Sequence, residues 1–296
     1  MPSIRIHRQV AVLAFIIALV AVVVVLVISP GAGLLFILAI APSAFLLWHF
    51  YNADKYKHES KRLLGGTFLL GALSVIPAAI IESIFKEPSA DAGVLAVFVY
   101  FLFCVGLIEE LMKFLSVRIY PYRSKHFDEP MDGIVFGVAA ALGFATIENL
   151  LFVSQSGVGN AVIRAIVSVP GHAFWGAIIG FYLGEAKVRG RSSLALNGLV
   201  FAVLLHGLFD TLTTVVPNAI IALVLVGALV WILYFKVVKR EIAEAEAESP
   251  HGNHQERLTS PAERPITRQG FNFCPQCGVP AEPGAKFCIN CGRPLT

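Results

Sequence analysis

Charged residues are scarce in this sequence, at 15% of 296 residues, whereas hydrophobic residues make up 56% and the mean hydropathy is +0.74. A soluble globular domain has about 25% charged residues. The net charge of +3 is small, and no basic face with interleaved aromatic residues is present. Because nucleic-acid binding depends on such a face, no nucleic-acid partner is expected. The composition instead predicts a protein that lies in the lipid bilayer.

Cysteine is rare outside the last 23 residues, which hold four of the five cysteines. Cys104 stands alone in an apolar stretch, so a secreted disulfide framework is not expected, and we interpret this thiol as a packing residue. The chain has no HExxH motif, which counts against the familiar membrane metalloprotease arrangement. Aspartyl and serine intramembrane sites are also disfavoured, because only Asp210 is deep in an apolar run and the SQSG segment at 154–157 falls between runs.

Long apolar runs recur along the chain with polar breaks between them, and each run can cross about 30 Å of hydrocarbon. They predict an all-α bundle of about eight membrane-spanning helices, with a small zinc ribbon on the C-terminal tail. A cleaved signal peptide is the alternative for the first run, but that run exceeds the usual h-region length. The predicted spans are 10–28, 33–51, 63–85, 93–117, 131–153, 161–186, 194–213 and 217–236.

Lysine and arginine alternate between the connections, which is the asymmetry that sets membrane topology. One side carries only Lys86 and Arg164. We therefore predict a multi-pass protein of the cell membrane with both termini in the cytoplasm. The cytoplasmic side carries Arg5, Arg8, Lys55, Lys57, Lys61, Arg62, Arg118, Arg123, Lys125, Lys187, Arg189, Arg191, Lys236, Lys239 and Arg240.

The fourth span contains EELMK, in which three ionisable residues lie in an apolar run. Each such residue costs about 2.5–3.5 kcal/mol at a helix centre on insertion scales, so it persists for a reason. Glu109 and Lys113 are four residues apart and share a helix face, and Glu110 reaches Lys113 by the three-residue spacing. One ammonium cannot neutralise two carboxylates, so one carboxylate needs a proton or another partner. Such a group suits general acid–base chemistry, and the alternative is an ion pair that fixes helix packing.

The next three spans each carry a carboxylate or an imidazole. Glu148 precedes Asn149 in the fifth span, His172 lies in the sixth, and His206 and Asp210 are one turn apart in the seventh. A single membrane histidine is often only a packed, hydrogen-bonded residue, but unrelated packing residues would have to coincide in four consecutive spans. The nominal depths of these residues differ by about 10 Å at 1.5 Å per residue, so we infer that helix tilt and the interruption at Pro170 and Gly171 bring them together.

Four ordered motifs, EELMK at 109–113, ALGFATIEN at 141–149, GHAFWG at 171–176 and HGLFD at 206–210, resemble the PrsW family of intramembrane proteases. The resemblance covers residues from about 90 to 215. PrsW proteins are distantly similar to the type II CAAX prenyl endopeptidases, which have an arginine after the glutamates, whereas Lys113 lies one residue earlier here. The resemblance implies cleavage of a peptide bond in or near the membrane. The substrate type it implies is a membrane-spanning protein such as an anti-sigma factor.

On these residues, the resemblance implies that Glu109 or Glu110 deprotonates the attacking water while His172 positions that water or shares the base role. His206 with Asn149 would stabilise the oxyanion, Asp210 would orient His206, and Lys113 would tune the protonation of the glutamates. We favour this reaction without a catalytic metal. The alternative is a zinc-dependent peptidase in which the glutamate pair remains the base. The zinc ligands would be Glu148, His172, His206 and Asp210.

Two further interpretations compete with an enzyme: a proton-coupled transporter, which also uses ionisable residues at depth, and a protein that binds membrane partners without cutting them. No inverted repeat between the chain halves supports a transporter. The expected organisation is a membrane protease domain at 1–240, a charged helical extension and flexible linker at 241–270, and a zinc ribbon at 271–296.

The C-terminal tail contains two CxxC pairs ten residues apart, each followed by glycine. This spacing is typical of a four-cysteine zinc site, in which glycines permit tight turns around the thiolates. Disulfides are disfavoured on the cytoplasmic side. We therefore predict a structural Zn²⁺ ion, which supplies the folding energy of so small a module, and a cytoplasmic protein partner for it. The predicted ligands are Cys274, Cys277, Cys288 and Cys291.

Overall fold

The computed structural model describes residues 30–89 and 92–251, together with the tail segments 272–273, 280–281, 287–288 and 290–291. The chain forms two compact units, Met1–Ser249 and Pro250–Thr296. The first predicted span, 10–28, lies outside the described residues.

The first unit is built from helices, which confirms the all-α fold class. π-Helical turns at Phe101–Gly106, Arg164–Ser168 and Tyr234–Val238 interrupt three of the long helical segments. The α-helices are α1 (Pro30–Ala53), α2 (Lys61–Glu82), α3 (Val94–Tyr100), α4 (Leu107–Ile119), α5 (Pro130–Ile163), α6 (Val169–Val188), α7 (Ser192–Val215), α8 (Ala219–Leu233) and α9 (Lys239–Ala247).

Within the described residues, six helical stretches are long and apolar enough to cross a membrane, and Ile37–Ala53 is a further, shorter apolar stretch. Each corresponds to one of the predicted spans from residue 33 onward. The predicted break between the fifth and sixth spans differs, because helix α5 continues through 154–157 to Ile163. That stretch contains no proline, so nothing in it removes a helical hydrogen bond.

The outward faces of the helices are apolar, as a lipid environment requires. On α2, Leu69, Leu73, Ile76 and Ile80 follow one another at spacings of three and four residues, and each is about 60% exposed. This spacing places the four side chains on one helix face. An apolar face of this kind is stable against acyl chains and would be unfavourable in water.

Helices α5 and α6 form the buried centre of the first unit, and glycines set how closely they pack. A Cβ atom added at Gly180 would meet the backbone carbonyl of Gly133, and one at Gly137 would meet the carbonyl of Gly176. Small residues at four-residue spacing let helix backbones approach in this way in membranes. The two backbones therefore touch at these glycines.

Candidate active site

Lys113 lies at the centre of the cluster of ionisable residues that the sequence predicted. Its Nζ donates to Oε2 of Glu109 over 3.0 Å and to Oε1 of Glu110 over 2.7 Å, and it lies 2.9 Å from Nδ1 of His172. An ammonium group can only donate, so Nδ1 of His172 is the acceptor. The hydrogen of that ring is then on Nε2, which lies 2.9 Å from Oε2 of Glu148. Lys113 thereby links residues of three helices.

His206 connects the glutamate pair to α7. Its Nδ1 lies 2.7 Å from Oε1 of Glu110, whereas its Nε2 lies 3.3 Å from Oδ2 of Asp210 and 3.9 Å from Oε2 of Glu109. The indole ring of Trp175 stacks on the imidazole with ring centroids 4.6 Å apart. A carboxylate on one nitrogen and an aromatic ring on one face fix the orientation of this imidazole.

The structure brings seven of the eight predicted site residues into this one network, despite their different nominal depths. Two π-helical turns, Phe101–Gly106 and Arg164–Ser168, come directly before Glu109 and His172. Each π-turn changes the register of the following helix and is frequent at functional sites. The turns are therefore a local reason why residues from different depths meet.

A cavity of about 680 Å³ opens beside the cluster. Some of the ionisable residues line this cavity, and the others are buried behind its wall. Glu110 and Lys113 are fully buried and do not line the cavity. Glu109 does line it, so this carboxylate is the member of the pair that a water or substrate can reach. The other ionisable predicted residues at the wall are Glu148, His172, His206 and Asp210.

Asn149 lies apart from His206, so the geometry does not support its predicted role as an oxyanion donor. Its Nδ2 donates to the carbonyl of Ala39 over 3.1 Å, and its Oδ1 accepts from Nε of Arg164 over 2.7 Å. The amide is fully buried and does not line the cavity. Asn149 instead holds Arg164 and α1 in position.

Arg164 and Glu82 are at the site although the sequence did not single them out. Nη2 of Arg164 lies 3.1 Å from Oε1 of Glu148, and both Arg164 and Glu82 line the cavity. From the sequence, Arg164 is used only as a positive charge in a connection between spans, and Glu82 is passed over because this residue lies at the end of an apolar run. The signal that could have found Arg164 is its position eight residues before His172 within a predicted span.

Metal-binding side chains form two groups at the cavity, each with donor atoms within 4.8 Å of one another: Glu109, Glu148 and His172, and Glu109, Glu110 and His206. Of the four predicted zinc ligands, Glu148 and His172 belong to the first group, His206 belongs to the second and Asp210 belongs to neither. Glu109 belongs to both groups. His172 fits a metal poorly, because both of its nitrogens already have partners. His206 fits better, since Glu110 holds Nδ1 and the neighbours of Nε2 are the carboxylates of Asp210 and Glu109, which can share an ion with that nitrogen, as in the usual carboxylate–histidine–metal arrangement.

Comparison with known proteins identifies the family of the chain. The family model described as PrsW family intramembrane metalloprotease matches residues 59–238, which include every predicted catalytic residue. The chain belongs to the PrsW protease family. It is therefore a peptidase and a membrane protein, as the sequence predicted. No solved structure shows significant similarity to the chain.

Curated relatives of the PrsW family support this assignment. The chain is 38% identical over 182 residues to Protease PrsW of Bacillus subtilis (strain 168), which covers 60% of this chain and 82% of the relative. It is 34% identical over 204 residues to Protease PrsW of Oceanobacillus iheyensis, with 68% and 93% covered. It is 30% identical over 211 residues to Protease PrsW of Shouchella clausii, with 68% and 94% covered.

The tail unit matches a zinc-ribbon domain over residues 273–295, which confirms the predicted fold of this segment. Its described part contains strand β1 (Asn272–Phe273) paired antiparallel with β2 (Pro280–Ala281). Cys288 is buried and Cys291 exposed. Cys274 and Cys277 lie outside the described residues.

Proposed function

We propose that this PrsW-family peptidase cleaves membrane-spanning proteins by water that Glu109 activates inside the cavity. The observation that carries the proposal is the position of Glu109, whose carboxylate lines the cavity while Lys113 holds it over 3.0 Å. A general base must be within hydrogen-bond reach of the water it deprotonates. Of the two glutamates that the sequence put forward, Glu109 has that access.

The surrounding residues divide the remaining tasks. Lys113 donates to both glutamates and so stabilises negative charge on the pair in a low-dielectric site. Glu110 holds His206, and Asp210 flanks the other nitrogen of the same ring. His172 holds Glu148 at the cavity wall, because its Nε2 lies 2.9 Å from Oε2 of that carboxylate. Arg164 and Asn149 are positioning residues that fix Glu148.

A divalent metal fits the cavity side of His206, and the family description together with this geometry favours the metal-dependent alternative over the metal-free reaction. His206 Nε2 and Asp210 would hold the ion, and Glu109 would lie next to it as the base. Such a metal supplies Lewis-acid polarisation of the scissile carbonyl or of the attacking water. The metal-free reaction stays a second candidate, because the Lys113 ammonium already bridges both glutamates and His172.

Metal content separates the two candidates once the tail zinc is removed. In a variant with Cys274, Cys277, Cys288 and Cys291 changed to serine, we expect about one bound transition-metal ion per chain. His206→Ala in the same background should lose that metal together with cleavage. A metal-free protein that still cleaves at the full rate would support the glutamate-only reaction instead.

We also propose the cellular setting that the sequence predicts. The alternation of lysine and arginine supports a cell-membrane protein with cytoplasmic termini. The substrate is a single-pass membrane protein of the anti-sigma-factor type, as the family resemblance implies. The tail binds one structural Zn²⁺ through its four cysteines and recruits a cytoplasmic protein.

Cleavage of a single-pass substrate in liposomes tests the role of Glu109. Glu109→Gln keeps the size of the side chain and removes the base, so we expect a loss of about 10²–10⁴-fold in rate. The matched control is Glu241→Gln, because Glu241 is also a buried carboxylate, 6% exposed, but lies on α9 away from the cavity. Undiminished cleavage by Glu109→Gln would contradict the proposal.

A further inference from the structure

A second group of buried carboxylates lies far from the active-site cavity, where the connection between α1 and α2 meets the beginning of α5. It consists of Asp54, Glu59, Glu129 and Asp132, each at most 3% exposed. Asp132 precedes Glu148 by 16 residues on α5, which corresponds to about 24 Å along the helix. The group therefore has no part in the reaction proposed above.

Each aspartate uses one oxygen to fold its own segment. Oδ1 of Asp54 accepts from the backbone N–H groups of Tyr56 and Lys57, over 3.3 and 3.1 Å. Oδ2 of Asp132 accepts from the backbone N–H groups of Asp128 and Glu129, over 2.6 and 2.9 Å, and so caps the beginning of α5. These bonds give one carboxylate oxygen of each aspartate its hydrogen-bond partners and leave the other oxygen without one.

The remaining carboxylate oxygens are buried without a hydrogen-bond donor among the described residues. They are Oδ2 of Asp54, Oδ1 of Asp132 and both oxygens of Glu59, whereas Glu129 has the hydroxyl of Ser249 beside it. Buried polar atoms of this kind are rare in native proteins and call for a specific partner. Their concentration in one place points to a ligand that binds oxygen atoms.

Lys57 does not satisfy this group. Its ammonium lies 2.5 Å from Oδ1 of Asp128, 3.3 Å from Oδ2 of Asp132 and 3.5 Å from Oε1 of Glu59. The ammonium thus approaches the Asp132 oxygen that is already bonded, and one positive charge faces four buried carboxylates. Burying unpaired carboxylates is unfavourable unless a cation or protons neutralise them.

Protons are the alternative to a cation here. In the cation-free protein, burial and the neighbouring Asp132 raise the pKa of Glu59 to about 9. Burial also raises the pKa of Asp54 and of Glu129. A bound divalent cation would neutralise the same oxygens without protons.

We propose that Asp54, Glu129 and Asp132, with Glu59 beside them, bind a divalent cation of the Ca²⁺ or Mg²⁺ class. One carboxylate oxygen from each of the first three residues lies within 4.8 Å of the other two. Two ligands of one Ca²⁺ ion at 2.3–2.6 Å are at most about 5 Å apart, so one ion can reach all three. A site made only of carboxylate oxygens suits these hard cations and not Zn²⁺ or Cu²⁺. The ion would join the α1–α2 connection to the beginning of α5.

Asp54→Asn is the sharpest variant for this site. Its Oδ1 can still accept the two backbone bonds that fold the connection, while an NH₂ group that cannot bind a cation replaces the free Oδ2. Glu241→Gln is the matched control, because its carboxylate is buried and has one unpartnered oxygen on a different helix. Glu129→Gln serves as the second variant if Asp54→Asn fails to fold.

The experiment is calorimetric titration of the purified full-length protein with Ca²⁺ and, separately, Mg²⁺, after treatment with a chelator and reloading of the tail with Zn²⁺. We expect one ion of at least one of the two metals to bind per chain, and the unfolding temperature to rise. Asp54→Asn should weaken this binding at least 10-fold, whereas Glu241→Gln and Glu109→Gln should bind as the unchanged protein does. The proposal would be overturned if Asp54→Asn and Glu129→Gln bound the ion with the affinity of the unchanged protein. It would also be overturned if the unchanged protein bound neither ion at about 1 mM.

Discussion

His206 donates its Nδ1–H to Oε1 of Glu110 over 2.7 Å, behind the wall of the cavity that His206 itself lines. Glu110 therefore reaches the reaction only through the imidazole that it orients. Lys113 donates to the same oxygen, also over 2.7 Å, so this carboxylate has its position fixed from two sides. The adjacent glutamates thus have different roles: Glu109 faces the cavity, and Glu110 supports a residue that faces it.

Glu110→Gln should lower cleavage about 10–100-fold, because groups that orient a catalytic or metal-binding histidine have effects of this size. Glutamine can still accept the Nδ1–H bond, so the folded state should persist. Titration of the active-site metal should show a parallel loss of affinity. If cleavage matched that of the Glu241→Gln control, Glu110 would have no positioning role.

Lys113→Met should destabilise the membrane unit by about 3–5 kcal/mol, because it leaves two buried carboxylates without their ammonium partner. Unfolding in detergent, followed by tryptophan fluorescence, measures this change. Adding Glu110→Gln removes one of the unpaired charges and should restore part of the loss. A Lys113→Met protein as stable as the unchanged protein would show that the ammonium does not neutralise the pair.

Arg164 and Glu148 should act on cleavage as one unit, since Nη2 of Arg164 lies 3.1 Å from Oε1 of Glu148. Arg164→Met, Glu148→Gln and the double variant form a cycle for which we expect a coupling of about 0.5–3 kcal/mol in kcat/KM. Strict additivity of the two single effects would mean that Arg164 does not work through Glu148.

Much of this site could be predicted from local spacing, and the rest depends on tertiary contacts. The three- and four-residue spacings in EELMK predicted the bonds from Lys113 to Glu110 and Glu109, and the four-residue spacing of His206 and Asp210 predicted their 3.3 Å contact. These contacts follow from helix geometry alone.

The pairing of Glu110 with His206 joins residues 96 positions apart, and no periodicity encodes it. Asn149 was assigned an oxyanion role because it lies in a family motif beside Glu148, whereas its amide is directed to α1 and Arg164. The first unit's buried carboxylates at Asp54 and Glu129 were also missed, because residues in connections ordinarily face water.

Gly180→Leu should prevent stable packing of α5 against α6, because the added side chain would meet the backbone carbonyl of Gly133, which cannot move aside. Overpacking costs about 1–3 kcal/mol or more, and a backbone contact lies at the upper end. The matched control is Gly65→Leu, because a Cβ at Gly65 has no atom within 4 Å. Yield of folded protein and unfolding temperature should fall only for Gly180→Leu. Equal behaviour of the two variants would contradict the role of the glycine contact.

In the proposed reaction Glu109 and His206 act together on one water in one cavity, and a double-mutant cycle on the cleavage rate tests this joint action most directly. Glu109→Gln, His206→Gln and the combined variant are compared on a single-pass substrate in liposomes. Residues that act as a unit have strongly non-additive effects. We predict that the double variant is no slower than the slower single variant. If the fold-loss in the cleavage rate of the double variant equalled the product of the two single fold-losses, the two residues would serve independent steps, which would contradict their joint action.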